Sequence, residues 1–125
     1  MRSIAILGDS YSTYEGFIPK DYISWYSDTG NAQENDVESV NDTWWKILCD
    51  ELNLELILNS SYSGSAVCLT GYPRSDGVLT SFVYRMHRDF GAHFVELKEI
   101  DKQNGHPSKL GMRKIVEQIK PILLR

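Results

Sequence analysis

Three short apolar runs, each ending near small polar residues, mark the predicted strands of this chain. They cover residues 3–7 (SIAIL), 54–61 (LELILNSS) and 92–100 (AHFVELKEI). Runs of this length, rich in apolar and β-branched residues and bounded by turn formers, are typical of buried strands. Between the first two lies a polar, acidic stretch at residues 28–42, which the pattern predicts to be a surface loop.

Helical spacing of apolar residues separates and follows these strands. The predicted helices cover residues 43–52, 75–91 and 107–124. Of the adjacent Trp44 and Trp45, one should enter the core while the other stays partly exposed. Pro107 would open the last helix, with His106 at its cap position. The residues expected to face inward from this last helix are Leu110, Ile115, Val116, Ile119 and Leu123.

Strand and helix thus alternate along the chain, which predicts an α/β fold. The expected architecture is a three-layer sandwich around a short parallel sheet, as in flavodoxin-like folds. Ligands of such sheets bind beyond the carboxyl ends of the strands. The clusters GDSYS, NSSYSGS and DKQNGHPS follow the three strands and should meet at that edge. Serine, glycine or asparagine, and histidine are the residue types that acyl transfer requires.

Charge and composition exclude several other classes of protein. The 125 residues carry a formal net charge of −4 without any Lys/Arg cluster, which argues against a nucleic-acid or anionic-membrane surface. No apolar run reaches membrane-spanning length and the start does not resemble a signal peptide, so a cytoplasmic location is expected. The two cysteines, Cys49 and Cys68, do not suggest a disulfide framework. His87 and His93 lack partners at ligand spacing, so no metal site is expected.

Three segments of the chain resemble the SGNH, or GDSL-type, hydrolases. GDSYST is similar to the first block of that family, whose serine is the nucleophile, and this implies Ser10. NSSYSGSAV is similar to the second block, whose glycine lends a backbone N–H to the oxyanion hole, and this implies Gly64. NGHPSKLGMRKI is similar to the last block, in which His-Pro supplies the general base, and this implies His106.

The chain departs from the family pattern in two ways. Gln103 stands where the family has an acid three residues before the histidine, so either Asp101 or a backbone carbonyl would have to orient the imidazole. The third block, Gly-x-Asn-Asp, is absent, and with it an oxyanion-hole asparagine. The resemblance therefore implies one internally shortened domain over residues 1–125, with about three strands instead of five.

The resemblance implies a serine esterase for small O-acyl esters, with acetylated sugars as one candidate substrate class and no cofactor. The expected site residues are Ser10, His106 and Asp101 as catalytic groups, and Gly64, Asp9 and Asn59 as oxyanion or substrate contacts. Plainer explanations also exist: Asp9 and Ser10 suit an ordinary turn, and Asn59 could simply satisfy backbone groups. The aromatic residues Tyr11, Tyr14, Phe17, Tyr22, Trp25 and Tyr26 could line a pocket or only pack over the sheet.

Two other functions stay open on the sequence alone. A non-catalytic remnant of such a hydrolase, kept as a structural or interaction module, would explain Gln103 and the missing block. A nucleotide binder would share the sheet topology, but the chain has neither a P-loop nor a G-x-G-x-x-G motif.

A shortened sheet would also leave an apolar strand edge open to another chain. The sequence therefore predicts a homodimer, with exchange of the C-terminal strand and helix as one way to form it. Such an exchange would bring His106 of one chain to Ser10 of the other.

Overall fold

The central element of the fold is a pair of parallel strands. The computed structural model describes residues 1–29, 35–65 and 97–124. Strands β1 (Arg2–Gly8) and β2 (Leu54–Ser61) pair from Arg2 opposite Leu54 to Gly8 opposite Ser61. A register shift between Ile4 and Ala5 interrupts the pairing. Both strands agree with the predicted apolar runs, and the α/β class with a short parallel sheet is confirmed.

Two helices complete the core, one packed on β2 and the other packed on the first helix. They are α1 (Trp44–Leu52) and α2 (Lys109–Leu123). The buried apolar residues are Ile6, Tyr14, Tyr26, Val37, Trp44, Trp45, Leu48, Met112, Ile115 and Val116. Trp44 is 8% exposed and Trp45 is 1% exposed, so the expectation that one of the two would reach solvent is wrong. Both can be buried because each indole N–H finds an acceptor inside the protein.

The start of α2 differs from its prediction. Ser108 is the cap residue, and its Oγ accepts a hydrogen bond from the Gly111 N–H at 3.1 Å. His106 is therefore not a helix cap, because it lies before Ser108 in a short strand. Leu110 is 55% exposed and Leu123 is also exposed, so neither faces inward as expected. Ile115 and Val116 are buried as predicted, together with Met112.

The predicted third strand and second helix lie largely outside the described residues. Of residues 92–100, only 97–100 are described, and these are not a strand. Glu99 has a φ of 52°, which breaks an extended conformation. The N–H and C=O of Lys98 bond the side chain of Gln118, at 2.7 Å each, and not a neighbouring strand. The predicted helix at 75–91 lies wholly outside the described part.

The predicted surface loop at residues 28–42 is partly described. Its final residues, Val40–Asp42, form a 3-10 helix, and Val37 is buried in the core. None of the helices in the described part of the chain has the length and apolar character needed to cross a bilayer.

Candidate active site

The candidate nucleophile lies on a tight turn directly after β1. Residues Ser10–Ser12 form a single turn of 3-10 helix, called here the nucleophile turn. Asp9 caps it, because its carboxylate accepts a hydrogen bond from the Tyr11 N–H at 3.0 Å. The Thr13 hydroxyl donates to the Ser10 carbonyl at 2.8 Å. These bonds fix the backbone on both sides of Ser10 and leave its hydroxyl at the carboxyl end of the strand.

Ser12 anchors the nucleophile turn in the core. Its hydroxyl accepts a hydrogen bond from Trp44 Nε1 at 3.2 Å, and its carbonyl accepts one from Trp45 Nε1 at 3.0 Å. The Asn59 Nδ2 amide donates to the same carbonyl at 2.8 Å. Asn59 Oδ1 accepts from Ser61 Oγ, and the residue is only 3% exposed. Asn59 therefore supports the turn by satisfying a backbone carbonyl, which agrees with the plainer of its two predicted roles.

Gly8 allows this close packing. A Cβ atom at this position would lie 2.6 Å from Ser61 Oγ and 2.7 Å from Ser12 Cβ. The glycine of the GDSYS cluster is therefore needed for the approach of the turn to β2.

The candidate base lies on a two-stranded hairpin that the sequence analysis missed. Strands β3 (Lys102–Gln103) and β4 (His106–Pro107) pair antiparallel, and we call residues 102–107 the base hairpin. Asn104 and Gly105 connect them with φ angles of 52° and 76°. Positive φ at both central residues is what a type I′ turn requires, and Asn-Gly is its strongest sequence signal. That dipeptide could have revealed the hairpin.

A loop that contains Asn35 holds the base hairpin against the protein. Asn35 Nδ2 donates to the carbonyls of Gln103 and Pro107 at 3.3 and 3.2 Å. The buried Tyr26 hydroxyl also donates to the Pro107 carbonyl, at 2.9 Å. Gln103 itself accepts a hydrogen bond from the Asp36 N–H through its side-chain oxygen at 2.8 Å. The Gln103 side chain thus joins the base hairpin to the loop that contains Asn35, and it does not orient the imidazole.

Ser10 and His106 meet at hydrogen-bond distance within one chain. His106 Nε2 lies 3.0 Å from Ser10 Oγ, and His106 Nδ1 lies 3.2 Å from the Asn104 carbonyl oxygen. A carbonyl can only accept, so Nδ1 carries the proton and Nε2 is free to accept the serine proton. Of the two groups expected to orient the imidazole, the backbone carbonyl is the one that contacts Nδ1. Asp101 instead bonds the hydroxyl of Ser108.

The surroundings of His106 favour its neutral form. Burial lowers the pKa of His106 below its usual value, and the nearby Lys102 ammonium lowers it further. The Asn104 carbonyl and the Asp9 carboxylate act in the opposite direction. A neutral imidazole at neutral pH is the state that a general base needs. Trp25 stacks on the ring with its centroid 3.6 Å away and the planes 14° apart.

The remaining predicted site residues have the following positions. Gly64 lies in the turn after β2 with a φ of 83°, and the neighbouring Ser65 N–H donates to the Tyr62 carbonyl at 3.0 Å. Of the loop aromatics, Tyr14 and Tyr26 are buried in the core, whereas Trp25 and Tyr11 contact His106. Among the described residues, no group of three His, Cys, Asp or Glu side chains is placed to hold a metal ion.

Cys49 is buried, and burial raises the pKa of its thiol, which makes it unreactive. Cys68, His87 and His93 lie outside the described residues.

Comparison with known proteins agrees with the family resemblance of the sequence and with the fold. The profile of the GDSL-like Lipase/Acylhydrolase family matches residues 2–93. A crystal structure from Bacteroides ovatus ATCC 8483, described as a GDSL-like lipase, is 27% identical with a TM-score of 0.83 and covers 99% of this chain and 98% of its own. A second crystal structure, from Bacteroides uniformis ATCC 8492 and described in the same way, is 26% identical with a TM-score of 0.85. It covers 99% of this chain and 96% of its own. No curated protein matches the chain.

Proposed function

The chain belongs to the GDSL-like lipase/acylhydrolase family, and we propose that it is a serine esterase that hydrolyses small O-acyl esters through an acyl-enzyme on Ser10. Family membership supports a hydrolase. The observation that carries the finer proposal is the distance of 3.0 Å between Ser10 Oγ and His106 Nε2. A serine hydroxyl becomes a nucleophile when a base at this distance takes its proton.

The reaction follows from the placement of the two side chains. Ser10 Oγ attacks the ester carbonyl carbon while its proton passes to His106 Nε2. The tetrahedral intermediate collapses, the C–O bond to the alcohol breaks, and the alcohol leaves with the proton from Nε2. Water then attacks the acyl-serine, its proton passes to His106, and the acid leaves as the Ser10 Oγ is protonated again.

Two backbone groups are our candidates for the oxyanion hole. We propose the N–H groups of Ser10 and Gly64, because Gly64 matches the second block of the family and its positive φ lies in the turn beside the carboxyl end of β1. The chain lacks the third-block asparagine, and a missing donor of this kind costs about 10²–10³ in rate. We therefore expect modest turnover. Asp9 would act on the site by capping the nucleophile turn and through its negative charge.

The dyad geometry disfavours the non-catalytic remnant. The missing block was one argument for a remnant, yet the two solved proteins match this chain over nearly their whole length and are thus similarly short. The other argument was that Gln103 stands where the family has an acid. The Asn104 carbonyl contacts the imidazole in place of that acid. The substrate class, with acetylated sugars as one candidate, remains a proposal that rests on the family.

Covalent trapping tests the proposed function. A fluorophosphonate probe should label Ser10, as located by mass spectrometry, and Ser10→Ala and His106→Ala should each abolish labelling together with hydrolysis of p-nitrophenyl acetate. Ser63→Ala is a matched control, because this serine lies in the turn after β2 and its N–H, not its hydroxyl, bonds Ile23. Labelling that persists equally in His106→Ala, or turnover that survives Ser10→Ala, would contradict the proposal.

We also propose a cytoplasmic homodimer, whose formation would cover the apolar strand edge that a shortened sheet leaves open. Exchange between chains is not needed to form the dyad, since Ser10 and His106 of one chain already meet. Light scattering at micromolar concentration checks the dimer, and a folded monomer under these conditions would rule it out.

A further inference from the structure

Trp25 is tied to both halves of the candidate site. Its ring stacks on His106 at 3.6 Å between centroids, with 14° between the planes. Its backbone N–H donates to Thr13 Oγ1 at 3.0 Å, and that hydroxyl donates to the Ser10 carbonyl at 2.8 Å. The rings of Trp25 and Tyr26 pack in a T-shaped arrangement with 4.7 Å between centroids, and Tyr26 bonds the base hairpin. Trp25 therefore connects the ring of His106, through stacking, to the backbone of Ser10, through hydrogen bonds.

The imidazole becomes a cation when it takes the serine proton, and its surroundings must accommodate that charge. A carboxylate on Nδ1 usually does this, but here Nδ1 contacts the neutral Asn104 carbonyl. The other charged or titratable groups that act on the ring are Asp9, Lys102, Tyr11 and Tyr26. Asp9 is also engaged in its cap, and Lys102 opposes the positive charge. The indole face of Trp25, by contrast, is in direct contact with the ring.

We propose that Trp25 is a positioning residue for the reaction, whose indole face fixes the plane of His106 and stabilises the imidazolium that forms in the transition state. The proposal rests on the proposed function, in which His106 is the base. Electron-rich aromatic faces attract a cation, and tryptophan does so most strongly. Stacking of the imidazolium on the indole thus supplies part of the charge stabilisation that a carboxylate on Nδ1 supplies in a catalytic triad.

Substitutions that keep the apolar cover but change the π face isolate this role. Trp25→Leu removes the π face while an apolar side chain still covers the imidazole, so His106 should lose support for its cation without becoming solvated. Trp25→Phe keeps a smaller aromatic face. Phe17→Leu is a matched control, because Phe17 is a half-exposed aromatic that packs on Tyr14 and Trp45, away from the dyad.

Two readouts are expected to move together. NMR titration of the imidazole, assigned with His106→Gln, should show a lower pKa in Trp25→Leu than in the parent, and a pKa closer to the parent in Trp25→Phe. The kcat for p-nitrophenyl acetate should fall about tenfold in Trp25→Leu with little change in KM, and Trp25→Phe should restore most of it. Phe17→Leu should change neither. A pKa in Trp25→Leu that is unchanged or raised, or a Phe variant as impaired as the Leu variant, would overturn the proposal.

The titration separates this proposal from the proposed function, because it needs no turnover. If Ser10 is not labelled by the fluorophosphonate but the pKa responds as described, the esterase proposal fails while the stacking role stands. Should Trp25→Leu not fold, site-specific incorporation of a fluorinated tryptophan at position 25 alone weakens the π face with little change of shape, and it leaves Trp44 and Trp45 unaltered. A lowered His106 pKa in that protein would support the role of Trp25, and an unaltered pKa would refute it.

Discussion

The nucleophile turn and the base hairpin are held in place by different means. Ser10 lies on a turn whose last residue, Ser12, receives three hydrogen bonds from buried side chains of the core. His106 lies on a short hairpin whose shape is fixed by the φ angles of two exposed residues, Asn104 and Gly105. Damage to the nucleophile turn should therefore cost global stability. Damage to the hairpin turn should cost activity first, because little of the core depends on it.

The largest effect is expected beside the base hairpin, where Gly111 of α2 packs against the backbone of Asp101. A Cβ atom there would lie 2.0 Å from the Asp101 carbonyl oxygen, which is backbone and cannot move aside. Gly111→Ala should lower the free energy of unfolding by about 3 kcal/mol in urea titrations, although alanine favours the helix itself by about 1 kcal/mol. Leu110→Ala, on the exposed side of the same turn, should cost about 0.5 kcal/mol or less. Equal stability in the two variants would contradict the close contact.

The next largest effect tests the anchoring of the nucleophile turn. Asn59→Ala removes a buried donor to the Ser12 carbonyl and the acceptor for Ser61, and should destabilise the fold by about 2 kcal/mol. Esterase activity should fall as well, because the turn carries Ser10. Asn59→Asp keeps the acceptor for Ser61 but replaces the donor with a buried carboxylate oxygen that faces the Ser12 carbonyl, so it should be destabilised at least as strongly as Asn59→Ala. If Asn59→Ala kept full stability but raised KM alone, Asn59 would be a substrate contact after all.

A smaller effect on stability, but a selective one on rate, is expected at the hairpin turn. Gly105→Ala places a side chain at a φ of 76° with open space around it, so the cost is strain of about 1 kcal/mol. Because the turn sets the position of His106, kcat/KM should fall about ten- to a hundredfold. Gly16→Ala is the control: its φ is 90° and its surroundings are also open. The two variants should unfold at similar urea concentrations, and only Gly105→Ala should lose rate.

Much of the framework could be predicted from the sequence because it follows local periodicity. Strands β1 and β2 and helices α1 and α2 lie where apolar spacing predicts them. The pairing of Ser10 with His106 was expected because both follow predicted strands, and the structure brings the two together. His106, however, arrives there on a hairpin and not at the end of a helix.

What the sequence did not reveal depends on contacts between distant residues. The flanking strands of the base hairpin have only two residues each, too few for an alternating pattern, so Asn-Gly alone signalled it. Burial of both Trp44 and Trp45 depends on acceptors that Ser12 supplies from another part of the chain. The stacking of Trp25 on His106 is likewise set by packing, and no local pattern encodes it.

The smallest effects compare the charge that each region contributes to His106. Burial lowers the pKa of this imidazole; Asp9, beside the nucleophile turn, raises it, and Lys102, on the base hairpin, lowers it. In the proposed mechanism the neutral ring is the base, so kcat/KM should fall as the pH drops through this pKa, below the ordinary histidine value of about 6.5. Lys102→Gln should move the acidic limb of the pH profile upward. Asp9→Asn, which keeps the capping oxygen, should move it downward. Profiles that shift in the same direction in both variants would show that these two charges do not control the pKa of His106. The two regions would then differ only in how each is held in the fold.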